Sequence, residues 1–201
     1  MKDIVNIGFI GNPNCGKTTL FNAYTGAHLK VANWPGVTVE KKEGSMQYHG
    51  HEFKLVDLPG IYSLTSYTME EKVSREFILS DDADIIIDIA DASSLERNLY
   101  LTLQLIELGK PVVLALNMMD IVEERGMEID MHRLPEMLGI PVVPVSARKK
   151  RGLDVLCMQL PIIIMRKTMK MYCWYMIMMI SRKKANISMI IMPNMLWYTA
   201  T

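Results

Sequence analysis

The sequence has little cysteine and no long run of apolar residues. Its three cysteines, Cys15, Cys157 and Cys173, have no metal-binding or disulfide spacing, which excludes a small disulfide scaffold and indicates a reducing compartment. No stretch of about 18 consecutive apolar residues occurs, so the chain by itself is not expected to span a membrane. No small-residue cleavage site follows the first apolar residues, and we expect a soluble product rather than a secreted one.

Acidic residues are missing from the last part of the chain. Residues 157–201 contain no Asp, Glu, Gly, Val or His, and they hold 10 of the 18 methionines. The formal net charge of zero conceals this asymmetry. Residues 1–154 carry 16 basic and 22 acidic side chains, whereas residues 155–201 carry 6 basic side chains and none that are acidic. The two parts of the chain therefore differ in origin or in function.

Four of the five missing residue types share a property of the genetic code with alanine, which is also scarce in this segment. Asp, Glu, Gly, Val and Ala all have codons that begin with G; together they make up 55 of residues 1–156 but only two of the last 45. Folding imposes no such rule, whereas translation in a shifted reading frame does. We therefore predict one domain over residues 1–156 and an aberrant, frameshifted tail over residues 157–201. The alternative is a basic, Met-rich segment that binds a membrane surface.

Against these absences stands a complete phosphate-binding motif, G-x-x-x-x-G-K-[ST], at residues 11–18. An apolar run at residues 4–10 precedes it, and residues 19–24 have helical character. Strand, loop and helix are the context in which backbone N–H groups surround a polyphosphate. Lys17 is then expected to reach the β- and γ-phosphates, and the Thr18 hydroxyl to bind Mg²⁺. The alternative is a chance match in a turn.

Strands alternate with helices along the rest of the domain, which predicts an α/β fold with a mostly parallel, doubly wound sheet. An antiparallel edge hairpin is expected over residues 36–48 and 52–56, and Ala27 to Pro35 is expected to be a loop. Ser93-Ser94-Leu95-Glu96 resembles a capping box that opens a helix. A last helix is expected to begin near Gly152 and to be interrupted by Pro161. The helix that this capping box opens is expected to run to residue 108. The remaining predicted elements are helices over 69–79 and 131–138 and strands over 83–90, 111–116 and 141–145.

Two further motifs follow predicted strands. Asp57-Leu58-Pro59-Gly60 is a D-x-x-G, in which Asp57 is expected to hold Mg²⁺ through water and the Gly60 N–H to reach a γ-phosphate. Asn117-Met118-Met119-Asp120 is an N-x-x-D, in which the Asp120 carboxylate accepts hydrogen bonds from the guanine N1–H and 2-amino group. Ser146-Ala147 then offers a backbone N–H to the guanine oxygen. These motifs indicate a P-loop GTPase of Ras-like fold.

The segment from Asn33 to Glu40 is expected to act as a switch. Thr38 lies where a switch threonine closes over Mg²⁺, although an ordinary β-strand threonine is the alternative. Ile61 follows the D-x-x-G, where Ras-like enzymes place the glutamine that orients the attacking water. An isoleucine neither donates nor accepts hydrogen bonds, so we expect slow intrinsic hydrolysis.

Several segments resemble the N-terminal G domain of bacterial ferrous iron transport protein B. The Asn-Trp-Pro-Gly-Val-Thr-Val-Glu loop at residues 33–40 and the Leu-Glu-Arg-Asn-Leu-Tyr helix at residues 95–100 are more specific than the shared GTPase motifs. The resemblance covers about residues 3–156. It implies a GTP-binding switch domain at the cytoplasmic face of the bacterial inner membrane. In that family a helical regulatory domain and a membrane domain that carries iron follow, and neither is recognisable here.

The resemblance also implies that potassium stimulates hydrolysis. The cation would be held by Asn14 and by switch carbonyls near Asn33 and Trp34, and it would neutralise charge on the phosphates. The expected cofactors are thus GTP or GDP, Mg²⁺ and K⁺. The net negative charge of residues 1–154 argues against a nucleic-acid partner. A soluble GTPase of tRNA modification or ribosome assembly, or a truncated non-functional product, are the competing interpretations.

Lys17, Asn14, Thr38 and Gly60 are the predicted catalytic residues. The nucleotide site as a whole is predicted to comprise Gly11, Asn12, Pro13, Asn14, Cys15, Gly16, Lys17, Thr18, Thr19, Gly36, Val37, Thr38, Asp57, Leu58, Pro59, Gly60, Asn117, Met118, Met119, Asp120, Ser146, Ala147 and Arg148. The metal ligands within it are Thr18, Thr38 and Asp57 for Mg²⁺ and Asn14 for K⁺.

Overall fold

A seven-stranded mixed sheet organises the chain in a computed structural model that describes residues 4–26, 29–48, 50–65, 67–80 and 82–163. The strand order is β2-β3-β4-β1-β5-β6-β7. The strands are β1 (Ile4–Gly11), β2 (Leu29–Asn33), β3 (Glu40–Tyr48), β4 (His51–Asp57), β5 (Ile85–Asp91), β6 (Val112–Asn117) and β7 (Val142–Pro144).

Five of the strands, β4, β1, β5, β6 and β7, run parallel in the centre and along one side of the sheet. All six residues of β6 are buried, as are six of the seven in β5. Helices cover both faces of such strands, so an apolar run without alternation is what their sequence requires. This half of the sheet confirms the predicted doubly wound α/β class.

The other edge of the sheet is antiparallel and larger than expected. The predicted hairpin of β3 and β4 is present, with Tyr48 paired with His51 at its end. The expectation of a loop from Ala27 to Pro35 was wrong, because β2 pairs with β3 from Leu29↔Gly44 to Asn33↔Glu40. All five β2 residues are exposed. Backbone pairing alone holds this strand, so it needs no apolar alternation and leaves no pattern in the sequence.

The helices lie between the strands along the chain. They are α1 (Lys17–Thr25), α2 (Met69–Leu79), α3 (Leu95–Glu107), α4 (Met119–Glu124), α5 (Arg133–Leu138) and α6, which covers residues 153–163 up to the end of the described chain. A core between the sheet and helices α2 and α3 joins Ile10 of β1 to Phe77 of α2 and to Leu101 and Leu105 of α3.

The predicted capping box at Ser93–Glu96 is absent. Ser94 makes no side-chain hydrogen bond as N-cap of α3, and Asp91 instead accepts from the Ser93 N–H at 2.8 Å. The short 3-10 turn Ala92–Ser94 that precedes α3 is thus capped by the aspartate at the end of β5. The capping box lies on α2, where Thr68 and Glu71 satisfy each other's backbone N–H groups.

The last helix differs from the expectation at Pro161. Residues 153–163 are helical throughout, so Pro161 does not interrupt α6 within the described chain. Leu156, Leu160 and Ile163 are buried at helical spacing. The proline removes one backbone donor, and burial of this apolar face offsets that loss. In addition, the Tyr24 hydroxyl of α1 donates to the Leu153 carbonyl at 2.8 Å, which attaches the start of α6 to the domain.

A compact unit of the chain ends at Ile163. The predicted aberrant tail lies outside the described residues from residue 164 onward. Within the described part, every helix is too short or too polar to cross a membrane.

Candidate functional site

The phosphate loop connects the carboxyl end of β1 to α1, and close backbone approach explains its glycines. A Cβ atom at Gly11 would lie 2.3 Å from the Ile89 carbonyl oxygen of β5. Gly16 has φ +85°, and a Cβ there would lie 2.3 Å from Nδ2 of Asn117. Asn14 also adopts a positive φ of 66°, which asparagine tolerates. The loop can therefore take only this course against β5 and β6.

Hydrogen bonds to the backbone of Cys15 hold the phosphate loop in place. The Cys15 N–H donates to the Asn12 carbonyl at 3.3 Å, and the Cys15 carbonyl accepts from Nδ2 of Asn117 at 2.9 Å. Burial raises the pKa of the Cys15 thiol to about 12, so this cysteine is protonated and inert at neutral pH. The loop thus has its polar contacts with protein on one side and Asn14, Thr18 and Thr19 exposed on the other.

Lys17 and Asp57 meet at the amino end of α1, where they form an ion pair between two largely buried side chains. They line a cavity of about 250 Å³ at the carboxyl end of the sheet. Its walls are Lys17, Thr18, Val39, Glu40, Lys42, Asp57, Leu58 and Pro59. The structure thereby brings together the predicted lysine, threonine and D-x-x-G residues at one place.

Three residues of this cavity were missed from the sequence: Val39, Glu40 and Lys42. Lys42 of β3 lies opposite Asp57 in the β3–β4 register. Glu40, two positions earlier on the same strand, pairs with Lys42 at 3.2 Å. An alternating strand that pairs with the D-x-x-G strand was visible in the sequence, and its register would have placed position 42 beside Asp57.

The D-x-x-G segment crosses over the phosphate loop. The Leu58 N–H donates to Phe9 at 2.9 Å, and the Ile61 N–H donates to the Gly11 carbonyl at 3.1 Å. Gly60 is exposed above Pro13. The Ile61 side chain is 3 % exposed and lies in the core with Leu64. It consequently points away from the site and orients nothing there.

A second cluster, which we call the base side, consists of Asn117, Asp120, Ser146 and Ala147. Asn117 joins the two loops, because its Nδ2 donates to Cys15 and its Oδ1 accepts from the Ala147 N–H at 3.0 Å. Asp120 accepts from the Ser146 hydroxyl at 2.8 Å. That hydrogen bond is the largest cause that lowers the pKa of Asp120 below its ordinary value, so its carboxylate is ionised at neutral pH.

The two methionines between Asn117 and Asp120 have separate places. Met118 has φ 63° and is half-buried, and the Met119 N–H donates to the Val145 carbonyl at 3.3 Å. This contact ties the N-x-x-D turn to the strand end that leads to Ser146. Arg148, the last predicted residue of the site, is exposed.

The switch segment, residues 33–40, forms the end of the β2–β3 hairpin. The Trp34 N–H donates to Val39 at 2.9 Å, and the Val37 N–H donates to the Trp34 carbonyl at 3.2 Å in a turn with Gly36 at φ +76°. The Trp34 ring packs edge-on against Phe77, 5.6 Å between centroids. Gly36 and Thr38 are exposed, and the cavity lining from this segment begins at Val39 rather than at Thr38.

Known proteins are similar to this chain in sequence and in fold. A family model described as ferrous iron transport protein B matches residues 5–160. The chain belongs to that family. The Fe(2+) transporter FeoB of Salmonella typhimurium is 54% identical over 156 residues, which are 76% of this chain and 20% of that protein. The corresponding transporter of Escherichia coli (strain K12) is 52% identical over the same length. The chain thus spans about a fifth of the curated relatives it matches.

Solved structures agree with the family. The G domain of the T. maritima FeoB iron transporter superposes with a TM-score of 0.76 at 44% identity, and the match covers 80% of this chain and 99% of that one. A mutant of S. thermophilus NFeoB bound to mGDP has a TM-score of 0.74 at 50% identity, covering 77% and 59%. The predicted P-loop GTPase fold and the family resemblance are therefore confirmed.

Proposed function

We propose that this chain is a GTP-binding switch domain that slowly hydrolyses GTP to GDP and phosphate. The observation that carries the proposal is the position of Asn117, which holds the phosphate loop at Cys15 and the base-side loop at Ala147 with one amide. A single side chain thus sets the separation of a phosphate-binding loop and a base-binding loop. Structural relatives described as bound to GDP support the choice of nucleotide.

Guanine specificity is assigned to Asp120. Its carboxylate is ionised and already held by Ser146, which leaves its second oxygen for a donor on the base. Guanine offers N1–H and the 2-amino group, whereas adenine offers neither in that arrangement. A buried carboxylate left unpaired by the wrong base loses far more than one neutral hydrogen bond is worth.

The phosphate side is assigned to Lys17, Thr18 and Asp57. The Thr18 hydroxyl and the Asp57 carboxylate line the same cavity as Lys17, and oxygen donors of this kind are the ligands that Mg²⁺ prefers. Magnesium would supply charge neutralisation at the β- and γ-phosphates. Lys17 must leave its ion pair with Asp57 to reach a phosphate, and this exchange frees the Asp57 carboxylate for the metal side of the site. The assignment of Thr38 requires the exposed switch segment to move towards Thr18.

Slow turnover follows from the position of Ile61, which offers no polar atom to the attacking water and is buried in the core. Charge stabilisation then has to come from elsewhere. We assign it to potassium held by Asn14, whose exposed position on the phosphate loop leaves its side-chain oxygen facing outward from the core. The Trp34 carbonyl accepts one hydrogen bond from the Val37 N–H at 3.2 Å, which leaves its second lone pair for the cation.

We further propose that the domain regulates Fe(II) transport across the bacterial inner membrane from its cytoplasmic face. The curated relatives are named as Fe(2+) transporters and are about five times as long as the matched region. Its partners in that role are the helical and membrane domains of the same family. Iron is the cargo in this proposal, and groups of three or more metal-ligating side chains are absent from the described residues.

The domain boundary at residue 156 and the aberrant tail at residues 157–201 remain part of the proposal. The composition break supports a frameshift near residues 156–158. The DNA sequence downstream of codon 156, read in all three frames, tests it directly. An alternative frame that encodes an acidic helical domain supports the frameshift, and an uninterrupted open frame with no such domain in the other two contradicts it.

Competition for a fluorescent GDP analogue tests the assignment of the nucleotide. We expect GTP and GDP to displace the analogue and equimolar ATP to have no effect. Asp120→Asn should transfer preference to xanthine nucleotides, because the amide supplies the donor that the second oxygen of xanthine accepts. Ser146→Ala is the matched control, since it removes the neighbour of Asp120 without changing the group that meets the base. Displacement by ATP as readily as by GTP overturns the proposal.

A further inference from the structure

Three of the five buried side-chain atoms that have no hydrogen-bond partner among the described residues belong to two asparagines. They are Nδ2 and Oδ1 of Asn12, in the phosphate loop, and Oδ1 of Asn98, on α3. Asn12 is 4 % exposed and Asn98 is 5 % exposed. Such groups are paired in nearly all folded proteins, by protein or by an ordered water, because leaving them unpaired costs stability.

Asn98 faces the sheet from α3. The buried residues of this helix are Asn98, Leu101, Thr102 and Leu105, the spacing of one helix face. Thr102 donates to the buried carboxyl of Asp88 in β5 at 2.6 Å. Asn98 lies one turn nearer the start of the helix, which follows the carboxyl end of β5 after the 3-10 turn Ala92–Ser94. Its amide nitrogen donates to the Ser94 carbonyl at 2.9 Å, so only its oxygen is left without a partner.

Asn12 is the first residue of the phosphate loop after β1. A Cβ at Gly8 of β1 would contact Phe77 of α2 at 3.0 Å, and Ile10 belongs to the core shared with α3. Asn12 comes two residues after Ile10 and directly after the end of β1, so the alternation of β1, continued by one residue, directs its side chain towards that same layer. Ile10 is paired with Asp88 in the register of β1 and β5. Towards the carboxyl ends of the strands, Asn12 comes after the level of Asp88 in the sheet. Asn98 likewise comes after the level of Thr102 on α3.

We infer that the amides of Asn12 and Asn98 form one polar link between the phosphate loop and α3 through a shared buried water. A water that accepts from the nitrogen of Asn12 and donates to Oδ1 of Asn98 pairs one atom of each amide. The link makes Asn98 a positioning residue for the nucleotide: it touches neither base nor phosphate, and it acts by fixing Asn12 at the turn where the loop leaves β1. Neither residue 98 nor α3 belongs to a GTP-binding motif.

This inference rests on the proposed nucleotide site, but its core can be tested without nucleotide. A double-mutant cycle of Asn12→Ala and Asn98→Ala is measured first on the thermal midpoint of the nucleotide-free chain. If the two amides share one partner, the second substitution removes little that the first has left, and the double variant unfolds close to the less stable single variant. Additive shifts overturn the link regardless of what the protein binds.

The parent, the two single variants and the double variant are then titrated with a fluorescent GDP analogue. We expect each single variant to bind about three- to tenfold more weakly and the double variant no more weakly than the worse single one. Ser74→Ala is the matched control: Ser74 is also fully buried with an unpartnered hydroxyl, but it lies on α2. Ser74→Ala should leave GDP affinity unchanged, and its shift of the thermal midpoint should add to that of Asn12→Ala.

Asn98→Ser keeps the polar character of the site if the alanine variant fails to fold. Its hydroxyl can donate or accept towards the water, so it should recover part of the GDP affinity while still lacking the contact to Ser94. The positioning role is overturned if Asn98→Ser binds GDP no better than a folded Asn98→Ala. It is also overturned if neither substitution changes the affinity for GDP. A parent chain that binds no GDP while the thermal cycle still shows coupling contradicts the proposed function and leaves the link supported.

Discussion

The side chains of the base side are buried and hydrogen-bonded, whereas the turn of the switch segment is exposed at Gly36 and Thr38. We call this part of the site the switch side. Asn117, Asp120 and Ser146 are 3 %, 3 % and 1 % exposed, and each contacts a residue of another loop. Gly36 and Thr38 lie at the exposed turn of a hairpin. The fold therefore holds the residues proposed to bind the base in place in advance, whereas the role proposed for Thr38 at the metal requires its segment to move.

The largest effect is expected when the base side is broken at Asn117. Asn117→Ala leaves the Cys15 carbonyl and the Ala147 N–H without partners, each at a cost of about 1–3 kcal/mol, so GDP affinity should fall about 100-fold. Titration with a fluorescent GDP analogue measures it. Thr38→Ala is the counterpart on the switch side and should change GDP affinity little. Equal losses in the two variants would contradict the comparison.

The buried carboxyl of Asp88 in β5, which accepts a hydrogen bond from Thr102 of α3, should make stability depend on pH. Burial raises the pKa of Asp88 to about 7, so the folded protein keeps a proton that the unfolded chain releases near pH 4. Stability is therefore fully present below pH 4 and is lost as the pH rises towards 7. Asp88→Asn cannot ionise and should be more stable than the parent by about 1–3 kcal/mol at pH 8.

Urea unfolding at pH 5 and pH 8 measures this prediction. The gain of Asp88→Asn should be smaller at pH 5, where the folded parent is protonated. Asp91→Asn is the control at the half-buried end of the same strand, and its effect on stability should not differ between the two pH values in this way. A gain for Asp88→Asn that is the same at both pH values would contradict a buried, protonated carboxyl.

A smaller effect is expected at Asn14, on the switch side of the phosphate loop. GTP turnover in potassium should exceed that in sodium by about tenfold, and Asn14→Ala should remove the difference, because one electrostatic partner of the transition state is lost. GDP affinity should change little, since the backbone N–H groups of the loop remain. Phosphate release in the two salts measures it, and an Asn14→Ala enzyme that still prefers potassium rules the role out.

The smallest effect is expected from the tail. Removal of residues 164–201 should leave GDP affinity within about twofold, because the binding motifs lie before residue 153 and α6 is retained. Removal of residues 158–201 also deletes Leu160 and Ile163, both buried, and should lower the thermal midpoint. The two truncated proteins separate a role in binding from a role in packing. Loss of GDP binding on removal of 164–201 would give the tail a function that its composition does not predict.

Much of the site could be predicted because its chemistry is local. The residues of the phosphate loop and of the N-x-x-D turn are contiguous in the chain, and the parallel strands that precede them are continuous apolar runs. Lys17, Asp57 and Asp120 accordingly lie at the carboxyl ends of the strands, as expected. The prediction failed for β2, because its only pairing among the described strands is with β3, outside its own segment. It also failed for the start of α3, because Asp91 caps a 3-10 turn that precedes the helix.

The sequence by itself determined the class of fold, the phosphate loop and the N-x-x-D turn with the aspartate proposed to bind the base, because each is encoded by neighbouring residues and by the period of apolar positions. The tertiary structure alone decided that Asn117 joins two loops, that Glu40 and Lys42 enter the cavity and that Thr38 stays exposed. It also left the amide oxygens of Asn12 and Asn98 buried without a hydrogen-bond partner among the described residues. These outcomes depend on strand register and helix placement, which follow from packing between distant segments, and no local pattern carries that information.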